Sequence, residues 1–223
     1  MKRIPEPEEL MDDEEQAIAY AGADFEEPHS RFITLFKETF GSSSISGYVL
    51  DIGCGPGDIT FRFARAYPNC IVHGVDGAEA MLSRARKILE NSTDLKDRVK
   101  LFHGILPDAL LRREKYDIII SNSLLHHLHN PQILWDAVKL YAAPQAPVFI
   151  MDLKRPESPD EARQLVETYS GKEPEILKRD FFNSLLAAFE VVEVKEQLEI
   201  AGLSHFTVTV VSDRHMVISG YIN

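Results

Sequence analysis

Apolar and polar positions change their period along the chain. Between residues 47 and 152, short apolar runs alternate with stretches of helical spacing. Tyr48-Val49-Leu50-Asp51 predicts a first strand, ended by glycines. Ile59 to Tyr67 predicts a helix, with Ile59, Phe63 and Ala66 on one face and Pro68 as its stop. Cys70 to Asp76 reads as a second strand, and Ala78 to Glu90 as a helix burying Met81, Leu82, Ala85, Ile88 and Leu89. Val99 to Phe102 is a third strand. Tyr116 to Asn122 is a fourth, apolar at its centre as a strand covered on both faces should be. Pro131 opens a helix that runs to Tyr141, and Pro147 to Asp152 is a fifth strand.

Strands alternating with helices imply a parallel sheet with helices on both faces. The tail differs. Helical patterns at 158–169, 174–188 and 190–201 precede two strand patterns, His205 to Val211 and Arg214 to Tyr221, split by Ser212-Asp213. That is a hairpin signature. The expected fold is α/β: a doubly wound, mostly parallel, Rossmann-like sheet of seven strands with an antiparallel C-terminal hairpin edge. Residues 31–223 are expected to form a single domain, preceded by an acidic helical leader, residues 1–30, acting as a lid. The leader carries ten acids against Lys2 and Arg3, and so holds most of the net charge of −11. Within it, Gln16 to Tyr20 reads as helical, and Ala21-Gly22-Ala23 is small enough for a hinge. Ile18 and Tyr20 would supply an apolar contact on closure.

Composition narrows the class. No apolar run approaches the ~18 residues of a membrane-spanning helix. The opening Met1-Lys2-Arg3-Ile4-Pro5-Glu6 lacks the apolar stretch of a secretory signal, so a cytoplasmic location is expected. Two cysteines, Cys54 and Cys70, are too few for a disulfide framework. The acidic balance disfavours a nucleic-acid partner, because phosphate backbones are bound through Lys and Arg.

The chemistry concentrates at Asp51-Ile52-Gly53-Cys54-Gly55-Pro56-Gly57-Asp58, between a strand and a helix. Glycines there permit a tight turn and let backbone N–H groups approach a ligand. Asp76 ends the next strand, where an acid can accept hydrogen bonds from ribose hydroxyls. A dinucleotide fingerprint would read Gly-x-Gly-x-x-Gly. Here Asp58 takes the third glycine's place and sets a carboxylate where a pyrophosphate would lie, which argues against NAD.

In these segments, taken in order, the chain resembles the class I S-adenosylmethionine (SAM)-dependent methyltransferases. The similarity lies in Val49 to Gly57, in Val72 to Asp76 with the following Ala78 to Leu82, and in Tyr116 to Leu128. The resemblance implies that the cofactor is SAM and the product S-adenosylhomocysteine (SAH). It implies that Gly53, Gly55 and Gly57 hold the methionine part, with Asp51 near its amino end. Asp76, beside Gly77, would bind the ribose. Met81 would pack near adenine, with plain core packing as the other reading. Gly104 and Ile105 would face the adenine edge, and Ser121 or Asn122 would offer a carbonyl to the ammonium. Tyr20 would touch SAM from the leader. Where many relatives carry an acid, Ile105 stands, which leaves its backbone or Asp108 to meet the adenine amino group.

Substrate residues are read more coarsely. His126 and His127 are candidates for a general base, or else structural histidines. No metal is expected, since adjacent helical histidines would face different ways and no Cys or acid stands at ligand spacing. His29 flanks the leader. Lys154 or Arg155, after the fifth strand, would hold an anionic group or else face solvent. Residues 174–188 would cover the substrate. Ser121-Asn122-Ser123-Leu124 stands where amino-methylating nucleic-acid enzymes carry Asn/Asp-Pro-Pro-aromatic, so a small-molecule acceptor is expected. A protein or RNA acceptor, or a SAM-binding domain without activity, are the rivals.

Overall fold

The computed structural model describes residues 1–7, 10–41, 45–106, 111 and 113–223. Among them, seven strands form one sheet: β1 (Gly47–Ile52), β2 (Cys70–Asp76), β3 (Val99–His103), β4 (Ile118–Asn122), β5 (Pro147–Leu153), β6 (Thr207–Val210) and β7 (His215–Tyr221). Their order is β3-β2-β1-β4-β5-β7-β6. The first five are parallel, whereas β7 runs antiparallel to both β5 and β6. The helices are α1 (Glu14–Gly22), α2 (Glu26–Phe40), α3 (Asp58–Ala66), α4 (Glu79–Glu90), α5 (Gln132–Tyr141), α6 (Pro159–Ser170), α7 (Glu175–Ala187) and α8 (Val191–Ile200). The expected doubly wound sheet with a hairpin edge is present.

Successive residues of the central strands feed opposite cores. Leu50 and Ile119 point toward α5 and α8, and join a cluster around Trp135. Trp135, the single tryptophan, is fully buried, and its indole N–H donates to Gln197 Oε1 at 3.1 Å. Val49, Ile118 and Ile120 point the other way, toward α2 and α3. Two helical expectations and one strand boundary shift in detail. Ala66 is exposed, and the buried side of α3 is Ile59, Thr60, Phe63 and Ala64. Ile88 of α4 is also exposed. Tyr116 lies outside β4 and makes a lone bridge to Ala142.

The sequence reading placed no helix over 31–40, yet α2 crosses the expected leader boundary at residue 30 without a break. Its His29, Phe32, Leu35 and Phe36 are buried, a three-and-four spacing that lies just past the acidic stretch. Phe36 meets Phe63 edge-on at 4.9 Å between ring centres and Phe149 of β5 at 5.5 Å. α1 lies across α4, with Ala17 against Ala78 and Met81. Asp13 caps α1 by accepting the Gln16 N–H at 3.0 Å.

If α2 is part of the second core, Phe36→Ala should behave as a core deletion. The expected loss is about 3–5 kcal/mol. It would be read as a lower urea midpoint at unchanged slope; a loss under ~1 kcal/mol would place α2 outside the cooperative unit.

Candidate functional site

The carboxyl ends of β1, β2, β4 and β5 open onto two adjoining chambers. Their position follows from parallel topology, which gathers the loops after the strands at one edge. The first chamber lies along the glycine loop. Gly53, Gly55 and Gly57 all have positive φ, at 71°, 51° and 88°. A Cβ on Gly53 would lie 2.8 Å from Leu124, and one on Gly57 would lie 2.7 Å from Phe61, whereas Gly55 has open space beside it. Gly53 and Gly55 line the chamber; Gly57 does not, and instead starts α3.

Asp76 is the hub of the loop. Its carboxylate accepts the Gly55 N–H at 2.7 Å and the Ala78 N–H at 2.8 Å. Burial pushes its pKa up, and the two backbone donors pull the other way. Asp51 is buried on the same wall and accepts the Thr60 hydroxyl at 2.5 Å. Burial raises its pKa to about 7, against the Thr60 bond and with help from the Asp76 charge. Asp58 also reaches this chamber, bonded to His29 Nδ1 at 2.5 Å and Arg62 Nε at 2.8 Å. Burial would raise its pKa, but these two partners hold it low. Gly77, Met81, Gly104 and Ile105 complete the wall, Met81 buried and Ile105 largely exposed. Asp108 lies outside the described residues.

Two further expectations resolve differently. Ser121 lines neither chamber; it is fully buried, and its hydroxyl ties β4 to β1 by donating to the Ile52 carbonyl at 2.6 Å. Asn122 lines both chambers, and its buried Oδ1 has no hydrogen-bond partner among the described residues. Ser123, next to it, sits at φ 55°, a strained angle for a side-chain-bearing residue.

Met11, Tyr20, His29, Asn122, Ser123 and His127 line both chambers, so the two share one wall. Burial pushes the Tyr20 hydroxyl up to about 12, which keeps it neutral. Ile18 faces solvent, while Leu10 and Met11 take the apolar contact expected of it. The second chamber has apolar walls from Met151, Leu153, Leu177 and Phe181, and it is floored by His126. Asp152, fully buried, accepts His126 Nδ1 at 2.7 Å and the backbone N–H groups of Leu125 and Leu153, each at 2.7 Å. Burial would lower the His126 pKa, but the Asp152 charge and hydrogen bond raise it more. Because a carboxylate only accepts, Nδ1 carries the hydrogen, and in the neutral ring Nε2 carries the lone pair.

His126 and His127 do not face different ways. They occupy a short 3-10 turn, Leu125–His127, and their rings lie 4.1 Å apart. An acid also stands beside them: Glu6 accepts His127 Nδ1 at 2.7 Å and the Ser184 hydroxyl at 2.6 Å. Distance in sequence hid this neighbour.

Residues 50–148 match a family model described as a methyltransferase domain. Malonyl-[acyl-carrier protein] O-methyltransferase of Bacillus cereus is 32% identical over 115 residues, 51% of this chain and 39% of that protein. Protein arginine N-methyltransferase 1 of Schizosaccharomyces pombe is 34% identical over 114 residues, 51% of this chain and 29% of that one. The chain thus spans well under half the length of these curated relatives. A SAM-dependent methyltransferase from Aquifex aeolicus shares the fold, with a TM-score of 0.68 at 20% identity over 95% of this chain and 99% of that one. Residues 50–148 are thus similar to methyltransferase domains, in a fold shared with SAM-dependent methyltransferases.

The first chamber fits SAM on its own chemistry. Buried Asp51 and the unpartnered Asn122 Oδ1 can meet a cationic amino group, and Gly55 leaves space for a ligand. Arg155, expected to hold an anionic group, does not line the second chamber. Arg155 is buried away from it, paired with Glu190 at 2.8 Å and Glu193 at 2.9 Å. Arg214 lines it instead, stacked 3.3 Å from the centre of the Tyr169 ring and paired with Glu27 at 3.3 Å. The signal was the hairpin itself: β7 is antiparallel to β5, so its first residues arrive at the edge where the parallel strands end. His215 arrives there too, and burial, then Arg214, pushes its pKa down to about 4.

Gly57→Ala should cost about 2–3 kcal/mol, combining left-handed strain with the clash on Phe61. Gly55→Ala should cost about 1 kcal/mol, yet weaken SAH binding, because its methyl enters the chamber. Denaturation and calorimetry on both variants check this, and equal binding losses would contradict it.

Asp51 makes a pH prediction. Its folded pKa of about 7 exceeds the unfolded value of about 4, so the folded state holds the proton more tightly. Its stabilising contribution is present below about pH 4 and fades as pH rises through about 7. Asp51→Asn should therefore gain up to a few kcal/mol on the ligand-free wild type between those limits. Thermal melts of both across this range measure it; parallel curves would refute the buried, raised acid.

Proposed function

We propose that the protein is a cytoplasmic enzyme that methylates a small-molecule acceptor. The observation that carries this is the shared wall between the glycine-loop chamber and an apolar chamber floored by His126. In this reading the glycine loop holds the methionine part, and Asp76 takes the ribose hydroxyls. Asp51 and Asn122 meet the ammonium. Met81, Gly104 and Ile105 flank the adenine, and residues 1–30 close over the ligand through Leu10, Met11 and Tyr20.

SAM, when bound, supplies an electrophilic methyl on a sulfonium. The chain's part is alignment and exclusion of water. Tyr20, His29, Asn122, Ser123 and His127 surround the passage through which the acceptor atom would approach. With SAM held there, the acceptor atom would displace its methyl from sulfur, and neutral His126 would take up the acceptor's proton at Nε2. Asp152 holds that imidazole in the receiving tautomer. Residues of α1, α2 and α7 wall the second chamber, which supports a small acceptor.

The test is SAH formation from SAM across phenols, carboxylates and amines. On an accepted substrate, His126→Gln should lower turnover by about 10²–10⁴-fold with SAH affinity unchanged. Turnover unchanged in the variant would remove His126 from the reaction. SAH binding with no turnover on any acceptor class would point to a binding domain.

A further inference from the structure

Glu6, His126 and His127 each offer one ligand atom, and these atoms all lie within 4.8 Å of one another. We propose that this cluster binds one divalent transition-metal ion of the zinc class. Two nitrogens and a carboxylate oxygen are a donor set for such ions, and three protein ligands leave a coordination position open.

The surroundings are built for it. Asp152 fixes His126 through Nδ1, leaving Nε2 as the atom free to coordinate. A carboxylate behind a ligating imidazole is the usual support of such sites. Asp152 is itself saturated by two backbone N–H groups, so the support is rigid. Ser184 holds the other oxygen of Glu6. An approach from outside also exists: a separate cleft lined by Glu6, Gln16, His127 and Asp180 reaches the cluster. Binding replaces the hydrogen bond between His127 and Glu6. The His127 hydrogen moves from Nδ1 to Nε2, and Nδ1 turns its lone pair to the ion, so a neutral ring stays neutral.

The consequence is a tether. Residue 6 belongs to the segment that also places Arg3 on the carbonyls of His126 and Leu128, at 2.9 and 3.1 Å. The ion adds a coordination bond between that segment and the 3-10 turn. It also occupies the lone pair of His126 Nε2. If the proposed function holds, metal and acceptor proton compete for that atom, and zinc slows turnover. That last point rests on the proposed function; metal affinity does not.

Zinc chloride titrated into the metal-stripped full chain by calorimetry tests the site directly. One ion per chain is expected, with Co²⁺ giving visible d–d absorption. Glu6→Gln and His127→Gln should each weaken binding at least about tenfold, and their melting curves check that they are folded. His205→Gln, just before the far hairpin, should bind as wild type does. No saturable binding would overturn the proposal. So would a folded Glu6→Gln, His127→Gln double variant that binds zinc as wild type does, because the ion would then sit on other groups.

Discussion

Where the ends of β1 and β4 meet, Gly53 has no room for a side chain. A Cβ there would lie 2.8 Å from Leu124, so strand and loop can approach only across a bare backbone. Much of the site hangs from this contact. Leu124 reaches Gly53 because Ser123 turns the chain at a positive φ directly after β4. The turn then delivers Leu125 and His126 to Asp152 at the end of β5. Three strand ends are thereby locked in sequence by one close approach, one strained residue and one carboxylate. The glycine loop is fixed on its other side by Asp76, which reaches back to the Gly55 N–H. The same acid that ends β2 therefore shapes the loop that ends β1.

The electrostatics follow from this geometry. Asp51, Asp58 and Asp76 line a single chamber, and among the described residues only Asp58 is hydrogen-bonded to charged or titratable side chains. Buried acids of this kind are held there at a cost to the ligand-free fold. That cost falls when a cationic ligand arrives, so binding and stability are coupled through the same carboxylates.

Local pattern carried much of the framework. β2 was read to its ends, because a run buried through its centre is bounded by Pro68 before it and Gly77 after it. The first chamber was legible too, since Gly53, Gly55, Asp76, Gly77 and Met81 all follow one another within a single strand–loop–helix–strand–helix unit. The second chamber was not. Its floor and walls come from segments far apart in the chain: Tyr20, His126, Phe181 and Arg214 meet only after the sheet has formed. Arg155 illustrates the limit. Its position after β5 was read correctly, but its direction was set by Glu190 and Glu193, 35 or more residues on. Glu6 shows the converse, an acid in an unremarkable charged stretch that the fold delivers 121 positions away to His127.

Trp135 has a practical consequence for anyone following this molecule in solution. It is the chain's one indole, fully buried between α5 and α8, bonded to Gln197, and part of neither chamber wall. Its fluorescence therefore counts folded molecules and takes little notice of what occupies the chambers. A ligand that binds the native state should leave the starting emission where it was and move only the midpoint of the unfolding curve. A change in emission at the outset, before any unfolding, would instead signal that the sheet's other face had shifted.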